Sequence, residues 1–190
     1  MRATQSQKLV GVLALQGDFE AHQKALEAAG AETLQVRTGQ DLSRVDGLVI
    51  PGGESTTMLK LLGYMDLWEP LRRFAATKPV FGTCAGAILL ATNVTCPSQQ
   101  SLGVMDMTVE RNAYGRQIDS RVAQIEGPDG PMEAVFIRAP IIRDTGADVR
   151  VLAEYQGTPV LVEQGHHMAA TFHPELTGDS RVHALFLSKL

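Results

Sequence analysis

The chain is 190 residues long, 44% hydrophobic and 20% charged, with a formal net charge of -4 at pH 7. That length predicts a single domain over 1–190 with a core of its own. The acidic balance excludes a general nucleic-acid surface, which needs a basic stripe, and no apolar run approaches the roughly 18 residues of a membrane helix.

The residues before Leu9 lead into an apolar run too short for a secretory signal. The two cysteines, Cys84 and Cys96, suit reduced thiols in the cytoplasm better than a disulfide scaffold. In chain order, 9–15 reads as a buried strand and 19–29 as a helix that Gly30 closes. Strands follow at 32–36 and 47–50, the second stopped by Pro51-Gly52-Gly53. Glu54 or Ser55 can cap a helix through Met58, Leu61 and Leu62. A further helix covers 67–76, then a strand at 79–81 and a helix at 85–91. The second half reads as strands at 104–110, 117–125, 134–138 and 149–155, then a hairpin of 159–163 with 168–172 around Gln164-Gly165-His166, and a closing helix at 180–190. Apolar runs without polar alternation suit strands covered on both faces. The expected fold is therefore α/β, a three-layer sandwich with a mixed, mostly parallel central sheet.

Chemistry concentrates at three strand ends. Gly82-Thr83-Cys84-Ala85-Gly86 has the shape of a nucleophile elbow with sulfur in place of oxygen. Small neighbours let the chain turn sharply, and a helix N-terminus favours the thiolate. The bland alternative is a buried cysteine packed between strand and helix. His173-Pro174-Glu175 ends another strand-like run, and in extended chain residues i and i+2 point the same way. Glu175 could then fix the tautomer of His173 and stabilise its imidazolium, whereas alone the tripeptide would read as a turn with a surface ion pair. Pro51-Gly52-Gly53-Glu54-Ser55 follows a third strand. Its glycines could turn backbone N–H groups toward a ligand, with a second oxyanion donor from Ala85; the alternative is an ordinary glycine turn with a helix cap. Arg111 and Arg138, near strand ends, could pair with a substrate carboxylate. His166-His167 reads as a solvated hairpin tip with no metal site, Cys96 as a bystander, and His22 as a solvated or partner-facing histidine on the first helix.

A cysteine elbow, a late His-x-Glu pair and an early Gly-Gly loop together resemble the class I (triad) glutamine amidotransferases. The segments 13–22, 51–57, 82–86, 111–117, 136–140 and 172–176 resemble, more narrowly, the glutaminase subunits of pyridoxal 5'-phosphate synthase, and they span nearly the whole chain. The resemblance implies a triad of Cys84, His173 and Glu175. It implies glutamine contacts from Gly52, Gly53, Glu54, Arg111, Ile137 and Arg138, and oxyanion donors at Gly53 and Ala85. It implies no cofactor and no metal. L-glutamine would be hydrolysed to glutamate and ammonia, and the ammonia passed to a separate synthase subunit whose docking switches the glutaminase on. Departures from the pattern are Tyr114, Arg121 and the extra residues before Lys8. Other classes remain: a cysteine peptidase or chaperone-like relative with the same elbow, a non-catalytic interaction subunit, or a glutaminase that feeds a different synthase.

Overall fold

The structure, a computed structural model, describes residues 8–113 and 120–190. The first half alternates strands and helices: β1 (Leu9–Leu13), α1 (Phe19–Ala28), β2 (Glu32–Val36), α2 (Gly39–Ser43), β3 (Gly47–Ile50), α3 (Ser55–Tyr64), α4 (Trp68–Ala75), β4 (Val80–Thr83) and α5 (Ala85–Leu90). Strands then dominate: β5 (Ala91–Thr95), β6 (Met105–Glu110), β7 (Ser120–Gly127), β8 (Gly130–Ile137), β9 (Ile141–Thr145), β10 (Arg150–Tyr155), β11 (Thr158–Gln164) and β12 (His167–Ala170). A 3₁₀ turn over Pro174–Leu176 and α6 (Arg181–Leu187) complete the order.

A seven-stranded sheet runs β10-β11-β12-β4-β3-β1-β2. Its β12-β4-β3-β1-β2 portion is parallel, and β10 and β11 join antiparallel. The strand sequences explain the layering. Side chains alternate across a strand, and here both faces are apolar. Leu13, Leu48, Ile50 and Val80 enter one cluster with Met58, Leu62, Leu71 and Leu89 from α3, α4 and α5. Val10, Val12, Val49 and Phe81 enter the other with Leu26 of α1 and Val182 and Phe186 of α6. Two buried faces require a helical layer on each side, which is the expected three-layer α/β sandwich with a mixed sheet. Two smaller sheets, β5-β6-β9 and the hairpin β7-β8, flank it.

Several boundaries differ from the sequence reading. The expected helix 85–91 stops at Leu90, and Ala91 opens β5, a strand the reading missed along with β9 and α2. The single-turn α2 is held by a reciprocal cap, Thr38 and Asp41 bonding each other's backbone N–H. Glu54, rather than Ser55, caps α3 by accepting from Thr56 and Thr57 N–H. The strand expected at 168–172 ends at Ala170, and the closing helix spans only Arg181–Leu187. The start of the expected strand 117–125, Tyr114 and the residues before Lys8 lie outside the described residues.

The turn from β4 into α5 is the feature that places the chemistry. A Cβ on Gly82 would lie 2.4 Å from the Gly86 carbonyl carbon, and one on Gly86 would lie 2.1 Å from the Ile50 carbonyl oxygen. Both obstacles are backbone, so no side-chain motion relieves them. We expect Gly86→Ala to force α5 off β3 and to lower stability by about 1–3 kcal/mol. The measure is a fall in the urea midpoint at unchanged slope; a midpoint equal to that of the parent chain would show that α5 does not need this close approach.

Candidate active site

Cys84 stands between β4 and α5 with φ 49° and ψ -102°. That left-handed backbone is strained for an L-residue, and it belongs to the sharp strand-to-helix turn of a nucleophile elbow. The Cys84 N–H donates to Ala170 O at 2.8 Å, tying the elbow to the end of β12. Beyond Ala170 the chain reaches His173, whose N–H donates to Val135 O at 2.8 Å.

The His173 ring stands beside Cys84 in the lining of one cleft, and its Nδ1 lies 2.7 Å from Glu175 Oε1. All three residues are buried. Burial opposes a charge on His173, but the neighbouring Cys84 and Glu175 side chains outweigh it and push the imidazole up to about 10. The expected pairing of His173 with Glu175 is present, but by different geometry. Glu175 lies in the 3₁₀ turn that Pro174 opens, not in extended chain, so the carboxylate folds back onto the ring. Its second oxygen, Oε2, is buried and has no well-aligned hydrogen bond; the nearest cation-capable atom is His22 Nε2 at 3.3 Å.

A cleft of about 280 Å³ opens over the sulfur, lined by Gly53, Glu54, Ser55, Cys84, Ile88, Arg111, Asn112, Ile137, Arg138 and His173. Of the residues singled out from sequence, seven therefore meet at one cavity. The other three support it from outside. Ala85 opens α5, Glu175 stands behind His173, and a Cβ on Gly52 would sit 2.5 Å from the His173 ring, so only glycine lets the loop pass that closely.

Arg111 Nη2 donates to Thr56 Oγ1 at 2.9 Å and approaches Glu54 Oε1 at 3.5 Å. Its Nε is buried without a partner. An unsatisfied guanidinium N–H beside a cleft is costly, and an incoming acceptor relieves it. Although partial burial raises it, Glu54 is held down at about 2 by the hydroxyls and N–H groups of Thr56 and Thr57. Arg138 takes φ 44°, a second strained residue at the rim.

Two histidine expectations need correction, and a third histidine must be added. His22 is not solvated; it is fully buried, with Nε2 3.1 Å from Thr83 Oγ1 and Nδ1 2.9 Å from His183 Nε2. The signal was available, because His22 and Leu26 share the inward face of α1 at spacing i, i+4. His167 is buried as well and accepts from Val80 N–H at 3.3 Å. The third, His183, was not singled out at all. Cys96 is exposed and apart from the cleft, as expected.

The chain matches the SNO glutamine amidotransferase family over residues 12–190. It is 62% identical to a Solibacter usitatus protein named pyridoxal 5'-phosphate synthase subunit PdxT, over 96% of this chain and 100% of that one. A Thermotoga petrophila protein of the same name is 52% identical over 94% and 97% of the two chains. A solved structure described as a glutamine amidotransferase superposes with TM-score 0.88 at 46% identity, covering 95% of this chain and 97% of the other. A structure described as PurLQS from Thermotoga maritima shares the fold at TM-score 0.65 and 15% identity, covering 96% of this chain and 97% of the other.

The buried imidazoles set a pH dependence of stability. Burial lowers His22 well below its ordinary value and, with the neighbouring His166, brings His167 to about 4; burial alone brings His183 to about 4. Each group binds a proton more readily unfolded than folded, so stability is fully present above about pH 6.5 and falls as pH drops toward the folded values. His173 has the opposite sign: its contribution is full below about 6.5 and is lost as pH rises toward 10. We expect a stability maximum near neutrality, with each acid-side histidine adding at most about 1.4 kcal/mol per pH unit to the slope. Denaturant titrations from pH 4 to 9 measure it; a stability that stays flat from pH 7 down to pH 5 would contradict the burial assignments.

Proposed function

The chain belongs to the SNO glutamine amidotransferase family, and from that premise we propose that it is the glutaminase subunit of a pyridoxal 5'-phosphate synthase, acting through Cys84, His173 and Glu175. The observation that carries this reading is that Cys84 and His173, the latter backed by Glu175 at 2.7 Å, line one cleft with Arg111 and Arg138.

Cys84 thiolate attacks the side-chain amide carbon of glutamine, forming the C–S bond and a tetrahedral oxyanion. Gly53 and Ala85 N–H groups stabilise that oxyanion. His173, which carries the proton in the resting ion pair, gives it to the departing nitrogen, and the C–N bond breaks to release ammonia. The sulfur is then a neutral thioester and no longer supports charge on the imidazole. His173 thus becomes a base, takes a proton from water, and the resulting attack breaks the C–S bond, releases glutamate and restores the thiolate–imidazolium pair. One ring serves as acid and then as base because its partner's charge disappears between the two steps.

Arg111, with its unspent Nε–H, and Arg138 take the α-carboxylate of glutamine, while Glu54 and the Gly52, Gly53 and Ile137 backbone complete the pocket. Ammonia passes to the synthase subunit, and docking of that subunit switches the site on by setting the Gly52–Gly53 peptide. The reaction belongs in the cytoplasm, where the thiols of Cys84 and Cys96, both free, stay reduced. Reading 1–190 as one amidotransferase domain is supported by the two apolar clusters lying on opposite faces of a single sheet. Among the described residues no helix is long and apolar enough to cross a membrane.

Ammonia release from glutamine, measured with and without the synthase subunit, tests the proposal. Cys84→Ala should abolish release in the complex while leaving complex formation intact; retained activity would remove Cys84 from the mechanism. Arg111→Ala should raise KM for glutamine by about tenfold or more, the worth of a hydrogen bond between charged groups, with kcat affected less. An unchanged KM would take Arg111 out of the pocket.

A further inference from the structure

Behind the triad lies a polar cluster that the mechanism above leaves unused: His22 of α1, Thr83 of β4 and His183 of α6, each 0% exposed. None of them lines the cleft. Their surroundings are apolar, with Leu26, Phe81 and Phe186 in the same core cluster, and the His183 ring stands edge-on to Phe81 at 6.0 Å. Hydrophobic side chains would fill this space without the desolvation cost that buried imidazoles carry.

The tautomers follow from the network. A neutral imidazole has one N–H and one lone pair. His183 Nδ1 is buried and has no partner, and an orphaned N–H is rarer than an orphaned acceptor. The proton of His183 is therefore on Nε2, donated to His22 Nδ1 at 2.9 Å. His22 must then carry its proton on Nε2, which faces Thr83 Oγ1 at 3.1 Å and Glu175 Oε2 at 3.3 Å. The opposite assignment strands an N–H on His183 and points a lone pair of His22 at a carboxylate.

We propose that His22 is a positioning residue for Glu175: its Nε2–H, bonded to Thr83 Oγ1, stands 3.3 Å from the otherwise unpartnered Oε2 and steadies that oxygen electrostatically so that Oε1 stays on His173, and His183 fixes the one His22 tautomer able to do this. The inference rests on the Cys84–His173–Glu175 reading given above. The groups that face His22 are Thr83, Glu175 and His183, with the charge of His173 beyond; those that face Glu175 are His22 and His173. Burial, reinforced by His183 and His173, keeps His22 neutral, and burial keeps His183 neutral. Neutrality is what the role needs. A neutral donor steadies the carboxylate, whereas a cationic His22 would compete with His173 for it.

The test is alkylation of the full chain by iodoacetamide across pH, resolved by mass spectrometry so that exposed Cys96 serves as the internal reference, together with kcat and KM in the complex with the synthase subunit. In His22→Leu we expect Cys84 alkylation at pH 7 to fall roughly tenfold against Cys96, the scale of one lost polar contact to a charged group. The midpoint of its rate–pH profile, which belongs to the Cys84–His173 pair, should move to higher pH, and kcat should fall without a rise in KM. His22→Gln keeps an N–H that can reach Oε2 and should restore most of the rate. His183→Phe, which fills the volume but leaves the His22 tautomer unfixed, should give a smaller shift of the same sign. An unchanged profile in His22→Leu, or equal losses in the leucine and glutamine variants, overturns the proposal. If His22→Leu does not fold, His183→Phe decides by the same midpoint: a shift supports the proposal and no shift overturns it. Should Cys84 of the parent chain react no faster than Cys96 at pH 7, the triad reading itself fails, and this inference with it.

Discussion

β12 and β4 lie side by side in parallel register with Ala170 opposite Thr83, and the Cys84 N–H closes the pairing on Ala170 O. Cys84 and His173 come from segments 89 positions apart, so this pairing sets the distance between them. A slip of one residue would turn every side chain of β12 to the opposite face. Met168 and Ala170 would leave one core cluster and Ala169 the other, so the apolar packing of both layers defends the register that sets Cys84 against His173. The same pairing anchors the strained backbone of Cys84. A positive φ costs of order 1–3 kcal/mol, and it persists because β4 is fixed on both edges and α5 is seated on Ile50 through Gly86.

Two carboxylates near the sulfur sit in different surroundings. Glu54 is more than half exposed at its side chain, and its charge is stabilised by short-range donors from the first turn of α3 together with Arg111. That arrangement fixes Arg111 by one arm and leaves its Nε for a ligand. Glu175 has almost no exposure, and its Oε1 lies 2.7 Å from His173 Nδ1. Cys84, His173 and Glu175 are all buried together, so moving any one of them disturbs the other two.

Much of this was legible because strand ends carry turn residues. β2 and β3 were read with the bounds they have, and the elbow, the Gly-Gly loop and both arginines fell where the topology gathers them. What sequence did not convey has physical reasons. β5 begins where α5 stops with no intervening breaker, so an apolar run that looks like one helix changes state at Ala91. β9 carries Arg143 and Asp144, exposed on the edge of a small sheet, and lacks the apolar signature of a buried strand. The single turn of α2 is too short for periodicity, although Thr38 and Asp41 stood at cap spacing. His-Pro-Glu was read as extended chain, and a 3₁₀ turn achieves the same encounter because Glu175 reaches back rather than sideways.

The buried histidines were missed for a different reason, and it bears on how the helical layer of α1 and α6 contributes. A histidine on a helix is solvated by default, and only the identity of its neighbours overturns that default. His22 and His183 lie on different helices, 161 positions apart, and become partners only when both helices pack on the sheet face opposite to α3, α4 and α5. That layer contributes no residue to the cleft over Cys84, yet it comes within 3.3 Å of Glu175 from behind through a single ring nitrogen. Any displacement of α1 against the sheet therefore reaches the carboxylate before it reaches the cleft. The surroundings of His173 are thus coupled to the packing of helices that do not line the cleft.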